Sequence, residues 1–280
     1  MENRKETGLH THTYYRCLTI AGSDSSGGAG IQADLKTFGA LGCYGMTAIT
    51  ALTAQNTTGV SAIEAIAPAF VLEQIRAVLS DIGADAVKIG MLFSADIIQA
   101  VAEGLKAFNV RKIVLDPVMV AQSGDTLLQE DAIEAIKVHL VPLATVVTPN
   151  IPEAAVLTEK AADAEIDMRA CARTLARHGC RAVLIKAGHL DGTQSTDVLY
   201  LPKDNRMVEI SGPRIDTVNN HGTGCTLSSA ITAYLARGES IEMAVRKARD
   251  YIEGALKSAA SYRIGHGHGP VHHYYRLWDA

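Results

Sequence analysis

The sequence reads Cys17-Leu18-Thr19-Ile20-Ala21 and then Gly22-Ser23-Asp24-Ser25-Ser26-Gly27-Gly28-Ala29-Gly30 near its N-terminus. The first five residues form a short apolar run with β-branched members, which predicts a strand, and the glycine-rich segment after it predicts a loop. A helical pattern of apolar residues follows through Ala33, Leu35, Phe38 and Leu41. This order of strand, loop and helix is typical of the first unit of an α/β fold.

The same alternation continues along the chain. Further strands are predicted from short apolar runs at Met46–Leu52, Ala86–Ile89, Lys112–Leu115, Thr145–Thr148 and Ala182–Ile185. Helices are predicted at Ala69–Leu79, Asp96–Phe108, Asp131–His139, Met168–His178, Leu227–Leu235 and Ile241–Ala260. An added hairpin is predicted from Ser195–Leu201 and Arg206–Ile210. Because the apolar runs do not alternate in polarity, the pattern favours a mostly parallel sheet covered by helices on both faces.

The composition favours one large hydrophobic core. The chain has 280 residues, of which 48% are hydrophobic and only 5% are aromatic, so aliphatic side chains carry most of the packing. The sequence contains no internal repeat and no low-complexity linker. We therefore predict a single domain over residues 17–280, preceded by a flexible N-terminal tail over residues 1–16.

Charge and cysteine content exclude several other classes of protein. The net charge of -4 argues against a general surface for nucleic acids or membranes. No apolar run reaches the roughly 18 residues of a membrane-spanning helix, and the first 15 residues lack the apolar region of a signal peptide. The five cysteines are an odd number without a CxxC pair, which indicates reduced thiols in a cytoplasmic protein.

A second glycine-rich stretch precedes the predicted helix at Leu227–Leu235. It reads His221-Gly222-Thr223-Gly224-Cys225-Thr226. Glycines allow backbone N–H groups to turn inward, and the start of a helix adds unpaired N–H groups and the positive end of the helix dipole. The stretch therefore predicts an anion site with a thiol at its edge. A capped surface turn with a buried structural cysteine is the alternative.

Polar and glycine residues follow most of the predicted strands. The strand ends carry Gly22-Ser23-Asp24, Thr53-Ala54-Gln55-Asn56, Lys88-Ile89-Gly90-Met91, Asp116-Pro117-Val118-Met119, Thr148-Pro149-Asn150 and Lys186-Ala187-Gly188-His189. In sheets of this kind, ligands bind beyond the carboxyl ends of the strands. The sequence therefore predicts one ligand site at this edge of the sheet.

The first glycine-rich loop matches neither of two familiar phosphate-binding patterns. Gly22 and Gly27 have the spacing of a Walker A loop, but Gly28 and Ala29 stand where that loop needs Lys and Ser or Thr. The dinucleotide fingerprint fails as well, since no acidic residue lies about 20 residues further on. The loop is predicted to approach some other ligand, with Asp24 and Asp34 as polar contacts, or to be purely structural.

Three oxygen-bearing side chains and one lysine are candidate ligands for a metal and a phosphate. Asp116, Asn150 and Glu153 carry oxygens of the kind that magnesium prefers, usually through water, although each could instead cap a helix. Lys186 ends an apolar strand and could meet a phosphate as a point charge or simply be solvated. The histidines near the C-terminus lack a cysteine partner at zinc-site spacing, so a packed tail is favoured there over a metal site.

Taken together, these motifs resemble the hydroxymethylpyrimidine/phosphomethylpyrimidine kinases of thiamine biosynthesis, within the ribokinase-like superfamily. The resemblance covers about Leu18 to Trp278. Its motifs are Ala21 to Asp34, Thr53-Ala54-Gln55-Asn56-Thr57, Lys88-Ile89-Gly90-Met91, Thr148-Pro149-Asn150, His221-Gly222-Thr223-Gly224-Cys225 and Gly269-Pro270-Val271-His272-His273.

The resemblance implies a cytoplasmic, homodimeric, ATP-dependent and Mg²⁺-dependent kinase with a three-layer α/β/α fold and a mostly parallel central sheet. It would phosphorylate the small molecule 4-amino-5-hydroxymethyl-2-methylpyrimidine and then the resulting monophosphate. The implied catalytic residues are Cys225, Gly222, Thr223, Gly224 and Lys186. The implied substrate-binding residues are Gly22, Asp34, Gln55, Met91 and Val118. The implied ATP-phosphate residues are Asp116, Asn150, Glu153 and Lys186, with the metal held by Asp116 and Glu153 through water.

Two other functions remain open at this point. A pyridoxal kinase, or a kinase with both specificities, acts on a similar heteroaromatic hydroxymethyl compound, although Gln55 and Met91 favour the pyrimidine. A non-catalytic ligand sensor on the same fold is the other alternative, but it would not need the anion site beside Cys225.

Because a helix N-terminus lowers the pKa of a thiol, we expect Cys225 to be able to act as a thiolate.

Overall fold

The computed structural model describes residues 13–119, 127, 130–160, 166–187 and 194–278. Within these residues, nine strands form one sheet in the order β3-β2-β1-β4-β5-β6-β7-β8-β9. The strands are β1 (Tyr15–Asp24), β2 (Cys43–Asn56), β3 (Gly59–Ala65), β4 (Ala86–Ile89), β5 (Ile113–Leu115), β6 (Val146–Val147), β7 (Val183–Ile185), β8 (Gln194–Leu201) and β9 (Arg206–Pro213). The central strands, in the spatial order β2, β1, β4, β5, β6 and β7, are parallel to one another. Strand β3 pairs antiparallel with β2, β8 pairs antiparallel with β7, and β9 pairs antiparallel with β8.

Helices connect the strands. They are α1 (Gly30–Ala40), α2 (Pro68–Asp81), α3 (Ala95–Ala107), α4 (Glu130–Ala135), α5 (Ile151–Leu157), α6 (Met168–Ala176), α7 (Thr223–Ala236) and α8 (Ile241–Ala259). The sequence explains several starts, because the side chains of Ser94, Asp167 and Ser240 accept hydrogen bonds from backbone N–H groups at the beginnings of α3, α6 and α8. Among the helices of the described residues, none is both long and apolar enough to cross a membrane.

Two hydrophobic layers lie on opposite faces of the sheet. Successive strand residues point to opposite faces, so Ile113 and Leu115 of β5 join one layer while Val114 joins the other. The first layer packs against α2, α3 and α6, and the second packs against α1, α7 and α8. The predicted α/β fold, with a mostly parallel sheet between two helical layers, is confirmed.

The structure extends or corrects several predicted elements. The predicted tail over residues 1–16 is wrong at its end, because β1 already begins at Tyr15; residues 1–12 lie outside the described part of the chain. Strand β2 is longer than predicted, and the antiparallel strand β3 was not predicted. Strand β3 lies at the edge of the sheet and is mostly exposed, so its short run of small and polar residues gives only a weak strand signal.

Candidate active site

One cavity of about 420 Å³ lies at the carboxyl ends of the parallel strands, against the N-terminus of α7. Twelve of the thirteen predicted site residues line it. They are Gly22, Gln55, Met91, Asp116, Val118, Asn150, Glu153, Lys186, Gly222, Thr223, Gly224 and Cys225. The predicted convergence of strand ends on one site is therefore met. Gly188 and His189, which follow the Lys186 strand end, lie outside the described residues.

The start of α7 requires glycine at position 222. Gly222 has a φ of 79°, and a Cβ atom there would lie 1.9 Å from the carbonyl oxygen of Gly28. The two glycine-rich loops of the sequence therefore touch each other at this point. The first N–H groups of a helix have no partner within the helix, so this turn directs the backbone donors of α7 toward the cavity.

Lys186 and Asp116 form an ion pair beside that helix start. Lys186 Nζ lies 2.8 Å from Asp116 Oδ1, and a Cβ atom on Gly224 would lie 3.4 Å from the same Nζ atom. Asp116 also accepts hydrogen bonds from the hydroxyls of Thr148 and Ser228. Burial disfavours the charge of Asp116, but Lys186 and Lys88 outweigh burial and hold the pKa of Asp116 below its usual value.

Asn150 and Glu153 form a capping box at the start of α5. Asn150 Oδ1 accepts from the Glu153 backbone N–H, and Glu153 Oε2 accepts from the Asn150 backbone N–H, each at 2.8 Å. Burial and the nearby Asp116 raise the pKa of Glu153 to about 7, although Lys186 acts in the opposite direction. Both residues also face the cavity, so the helix cap and a ligand contact are compatible here rather than alternatives.

The predicted substrate-binding residues meet at another part of the cavity. A Cβ atom on Gly22 would lie 2.7 Å from Met91 Sδ, so glycine at position 22 makes room for the methionine. Met91 belongs to a small apolar cluster against which Val118 packs. Gln55 is partly buried, and its Oε1 accepts a hydrogen bond from the Thr53 hydroxyl. Gly22, Gln55, Met91 and Val118 thus form one wall of the cavity, which is apolar except for the amide of Gln55. Such a wall suits a flat heteroaromatic ring.

Asp34 is a correction to the predicted substrate-binding set. Its side chain is fully buried and does not line the cavity. Lys88 Nζ donates to both Asp34 oxygens at 2.9 Å, and the hydroxyls of Thr19 and Ser229 donate at 2.6 Å. The carboxylate is thereby occupied by neighbouring side chains. Lys88 lines the cavity and was missed, although a lysine inside an apolar strand signals a buried partner.

The pKa of Cys225 is a second correction. Burial raises the pKa of its thiol to about 11, and the carboxylates of Asp34 and Asp116 add to this effect. Lys88 and the Gly30 backbone N–H favour the thiolate but do not outweigh burial. The expectation that a helix N-terminus lowers this pKa is therefore wrong for this arrangement of side chains, because desolvation dominates.

Asp24 fastens the first glycine-rich loop to the second. Its carboxylate accepts from the backbone N–H groups of Ser26, Gly28 and Ala29, and Asp24 Oδ2 lies 2.8 Å from His221 Nε2. Asp24 also lines the cavity, so this contact between the loops and the predicted ligand contact are compatible, and the ligand contact stays a prediction. His221 was also missed as a site residue, because its partner is distant in the sequence.

The histidine-rich C-terminal segment packs against the same loop. The backbone N–H of His221 donates to the Gly269 carbonyl, and the His221 carbonyl accepts from the Val271 N–H. Further along, His273 Nε2 lies 3.1 Å from the Thr226 hydroxyl of α7. These contacts agree with the predicted packed tail and place the segment against the residues His221 and Thr226 that flank the start of α7.

Known proteins identify the family. A family model described as phosphomethylpyrimidine kinase matches residues 24–272. The chain belongs to the phosphomethylpyrimidine kinase family. It is 52% identical over 262 residues to the hydroxymethylpyrimidine/phosphomethylpyrimidine kinase of Rhizobium meliloti, and the alignment covers 93% of this chain and 97% of the relative.

Solved structures agree with this membership. The chain is 47% identical to a phosphomethylpyrimidine kinase from Clostridium difficile, with a TM-score of 0.75 over 86% of this chain and 99% of that chain. It is 37% identical to a pyridoxal kinase from Bacillus subtilis, solved as an ADP complex, with a TM-score of 0.85 over 95% of this chain and 100% of that chain. The predicted family, the ribokinase-like fold and the prediction of a phosphotransferase are confirmed.

We expect Gly222→Ala to lower kcat of this kinase by about 100-fold or more, the cost of losing a backbone donor to developing charge. The new Cβ would displace either the helix start or Gly28, 1.9 Å away. Gly238→Ala is the matched control, since Gly238 also has a left-handed φ of 91° but has nothing within 4 Å of an added Cβ. Steady-state kinetics should show a normal kcat for the control; equal losses in both variants would contradict the prediction.

We expect the stabilisation by Asp24 to depend on pH. Burial disfavours its charge, but hydrogen bonds from His221, Ser26 and Ala29 hold its pKa below the usual value. The carboxylate therefore stabilises the fold fully above the unfolded pKa of about 3.9, and this contribution is lost as pH falls below that value. Urea unfolding should show Asp24→Asn to be less stable by about 1.5–3 kcal/mol at pH 7, with a smaller difference at low pH. A difference independent of pH would contradict this.

Proposed function

We propose that this kinase transfers the γ-phosphoryl group of ATP to the hydroxymethyl group of 4-amino-5-hydroxymethyl-2-methylpyrimidine, and then to the monophosphate that results, in thiamine biosynthesis. One observation supports the proposal above all. The helix start at Gly222–Gly224, the thiol of Cys225 and the Lys186–Asp116 ion pair share one cavity with the wall formed by Gly22, Gln55, Met91 and Val118. The family of the chain supports the same chemistry.

We place the ATP phosphates and Mg²⁺ at the Lys186 end of the cavity. Asp116 and Glu153 offer the carboxylate oxygens that suit Mg²⁺, held through water, and Asn150 lies beside Lys186 in an isolated β-bridge. The metal, when bound, neutralises charge on the phosphate oxygens. Lys186 would meet the same oxygens as a point charge, since its pairing with Asp116 keeps it protonated beside Gly224 at the helix start.

The residues of the chain would then act mainly by positioning and by stabilising charge. The backbone N–H groups at Gly222–Gly224 would hold charge that develops on the transferred phosphoryl group. Cys225 would accept the proton of the hydroxymethyl oxygen as that oxygen attacks. Because the pKa of its thiol is about 11 with Lys88 already nearby, the thiolate is a minor species at neutral pH, and its fraction depends on the charges around Cys225.

A pyridoxal kinase, or an enzyme with both specificities, is the second candidate. The observation that favours it is the TM-score of 0.85 with the pyridoxal kinase from Bacillus subtilis, over 95% of this chain. Both acceptors are heteroaromatic hydroxymethyl compounds, so one cavity could hold either. Gln55 and Met91 in the apolar wall favour the aminopyrimidine, because an amide can both donate to a ring nitrogen and accept from an exocyclic amine.

We further propose that the enzyme acts as a cytoplasmic homodimer. Free thiols at all five cysteines suit a reducing compartment. Leu52 on β2 and Phe70 on α2 are 45% and 61% exposed, and burial of such residues against a second copy would be favourable. Sedimentation velocity of the full chain would test the dimer.

The proposed function is tested by ATP consumption with Mg²⁺ and three acceptors, with products identified by mass. The acceptors are the hydroxymethylpyrimidine, its monophosphate and pyridoxal. Formation of the pyrimidine monophosphate and then the diphosphate is the expected result. Efficient pyridoxal turnover with little pyrimidine diphosphate would move the assignment to the second candidate. Tight pyrimidine binding without ATP consumption would contradict both kinase assignments.

We expect Cys225→Ala to impair the first phosphorylation far more than the second. The first acceptor is an alcohol that benefits from a base, which contributes about 10²–10⁴-fold. The second acceptor is a phosphate monoester with a second pKa of about 6, so it is already mostly dianionic at neutral pH. Single-turnover rates with each acceptor separate the two steps, and equal losses in both would count against a base role for Cys225.

A further inference from the structure

The thiol of Cys225 and the hydroxyl of Ser229 lie on the same face of α7. They are four residues apart in a helix, which places their side chains one above the other. Ser229 Oγ donates to Asp34 Oδ1 at 2.6 Å. The face of α7 that carries Cys225 is therefore packed directly onto the buried Asp34 carboxylate of α1.

Lys88 is the positively charged partner of the same Asp34 carboxylate. It lies on β4, its side chain is fully buried, and its Nζ donates to both oxygens of Asp34 at 2.9 Å. A Cβ atom on Gly90 would lie 2.8 Å from the same Nζ, so the small residue keeps this end of the strand open for the ammonium. Lys88 and Cys225 both line the cavity, whereas Asp34 does not.

The charges around the thiol come from four elements. Lys88 on β4 favours the thiolate, and Asp34 on α1 and Asp116 after β5 oppose it. Lys186 after β7 also interacts with Cys225, but it is bound to Asp116 and lies close to Glu153. The Gly30 backbone N–H at the start of α1 favours the thiolate as well. Each lysine is therefore paired with its own carboxylate, Lys88 with Asp34 and Lys186 with Asp116.

We propose that Lys88 is a positioning residue for the phosphoryl transfer, acting through Cys225: its ammonium, held by Asp34 at the cavity wall, stabilises the thiolate that accepts the hydroxyl proton. Because the ammonium is bound by both oxygens of Asp34, this role does not depend on contact with the substrate. This inference rests on the proposed role of Cys225 as the proton acceptor.

The Cys225 thiol loses its proton to water, which leaves a thiolate beside the Lys88 ammonium. The thiolate then takes the proton of the hydroxymethyl group while the hydroxyl oxygen forms its bond to the γ-phosphorus. The bond from that phosphorus to the bridging oxygen breaks, and ADP leaves with the electron pair. Lys88 keeps its own protons throughout, because its pairing with Asp34 holds its pKa above the usual value.

The proposal predicts opposite effects for the two partners of one buried ion pair. Lys88→Met removes the positive charge and leaves Asp34 unpaired, so the thiolate is disfavoured. Asp34→Asn removes the negative charge and leaves the ammonium facing the thiol, so the thiolate is favoured. A purely structural ion pair would be disturbed by both substitutions, and thiol reactivity would then change in the same direction in each.

The test measures the rate of Cys225 alkylation by iodoacetamide against pH in the full chain, with the labelled peptide identified by mass. Because each unit of pKa changes the thiolate fraction about tenfold, we expect Lys88→Met to react at least about tenfold more slowly than wild type at pH 8 and Asp34→Asn at least about tenfold faster. Ser229→Ala is the control that loses a hydrogen bond to Asp34 without a change of charge, and its rate should stay within about threefold of wild type. Equal or same-direction shifts in the two charge variants would overturn the proposal.

A double variant, Asp34→Asn with Lys88→Met, protects the test against misfolding. Removing both charges leaves no unpaired buried ion, so it should fold if a single variant does not. Thermal melting identifies the folded variants, and any folded single variant is compared with the double variant, from which it differs by one charge. Asp34→Asn should react faster than the double variant and Lys88→Met more slowly; equal rates would overturn the proposal.

Alkylation involves no acceptor substrate, so it separates this inference from the proposed function. Opposite shifts support the role of the Lys88 charge even if wild-type enzyme does not phosphorylate the pyrimidine. Same-direction shifts overturn that role even if both phosphorylation steps proceed. As a second readout, the limb of the kcat profile that rises with pH in the first phosphorylation reports deprotonation of the base, and it should move to higher pH in Lys88→Met and to lower pH in Asp34→Asn.

Discussion

The buried carboxylate of Asp34 is the contact on which the rest of the site depends. It lies on α1 and accepts hydrogen bonds from Thr19 on β1, Lys88 on β4 and Ser229 on α7. Four elements are thereby joined at one pair of oxygens with no access to water. Loss of one partner from a buried ion pair costs about 3–5 kcal/mol, because it leaves an uncompensated charge. The arrangement therefore holds α7 in one position against the sheet.

The position of α7 in turn decides where the reactive groups meet. Ser228 and Ser229, adjacent in the sequence, donate to Asp116 and Asp34, so the second turn of the helix is held by two carboxylates. The glycine-rich loop before α7 contacts the first glycine-rich loop where Gly222 meets Gly28, and the Asp24–His221 contact closes the same junction. The backbone donors of α7, the thiol of Cys225 and the ammonium of Lys186 are thus held in place before any ligand enters, and such positioning is the main requirement of phosphoryl transfer.

Much of the fold and most of the site could be predicted from local patterns. The short apolar runs predicted the parallel strands, and because parallel strands end at one edge, the polar residues after them predicted a common site. Strand β3 escaped prediction because an exposed edge strand has little apolar signal. Asp34 was assigned to the ligand because a carboxylate on a helix after a glycine-rich loop gives no local indication of a lysine 54 residues away.

The sequence by itself determined which residues could do chemistry: glycines that permit a left-handed turn, a thiol at a helix start, and a lysine and carboxylates at strand ends. Tertiary structure decided their charge states and their partners. The pKa of a thiol depends on burial and on charges from several elements, so the helix start at Cys225 predicted a low value whereas burial sets it at about 11. Likewise, only packing of β4 against α1 and α7 turned Lys88 and Asp34 into one buried pair, since desolvation and Coulomb attraction act through space rather than along the chain.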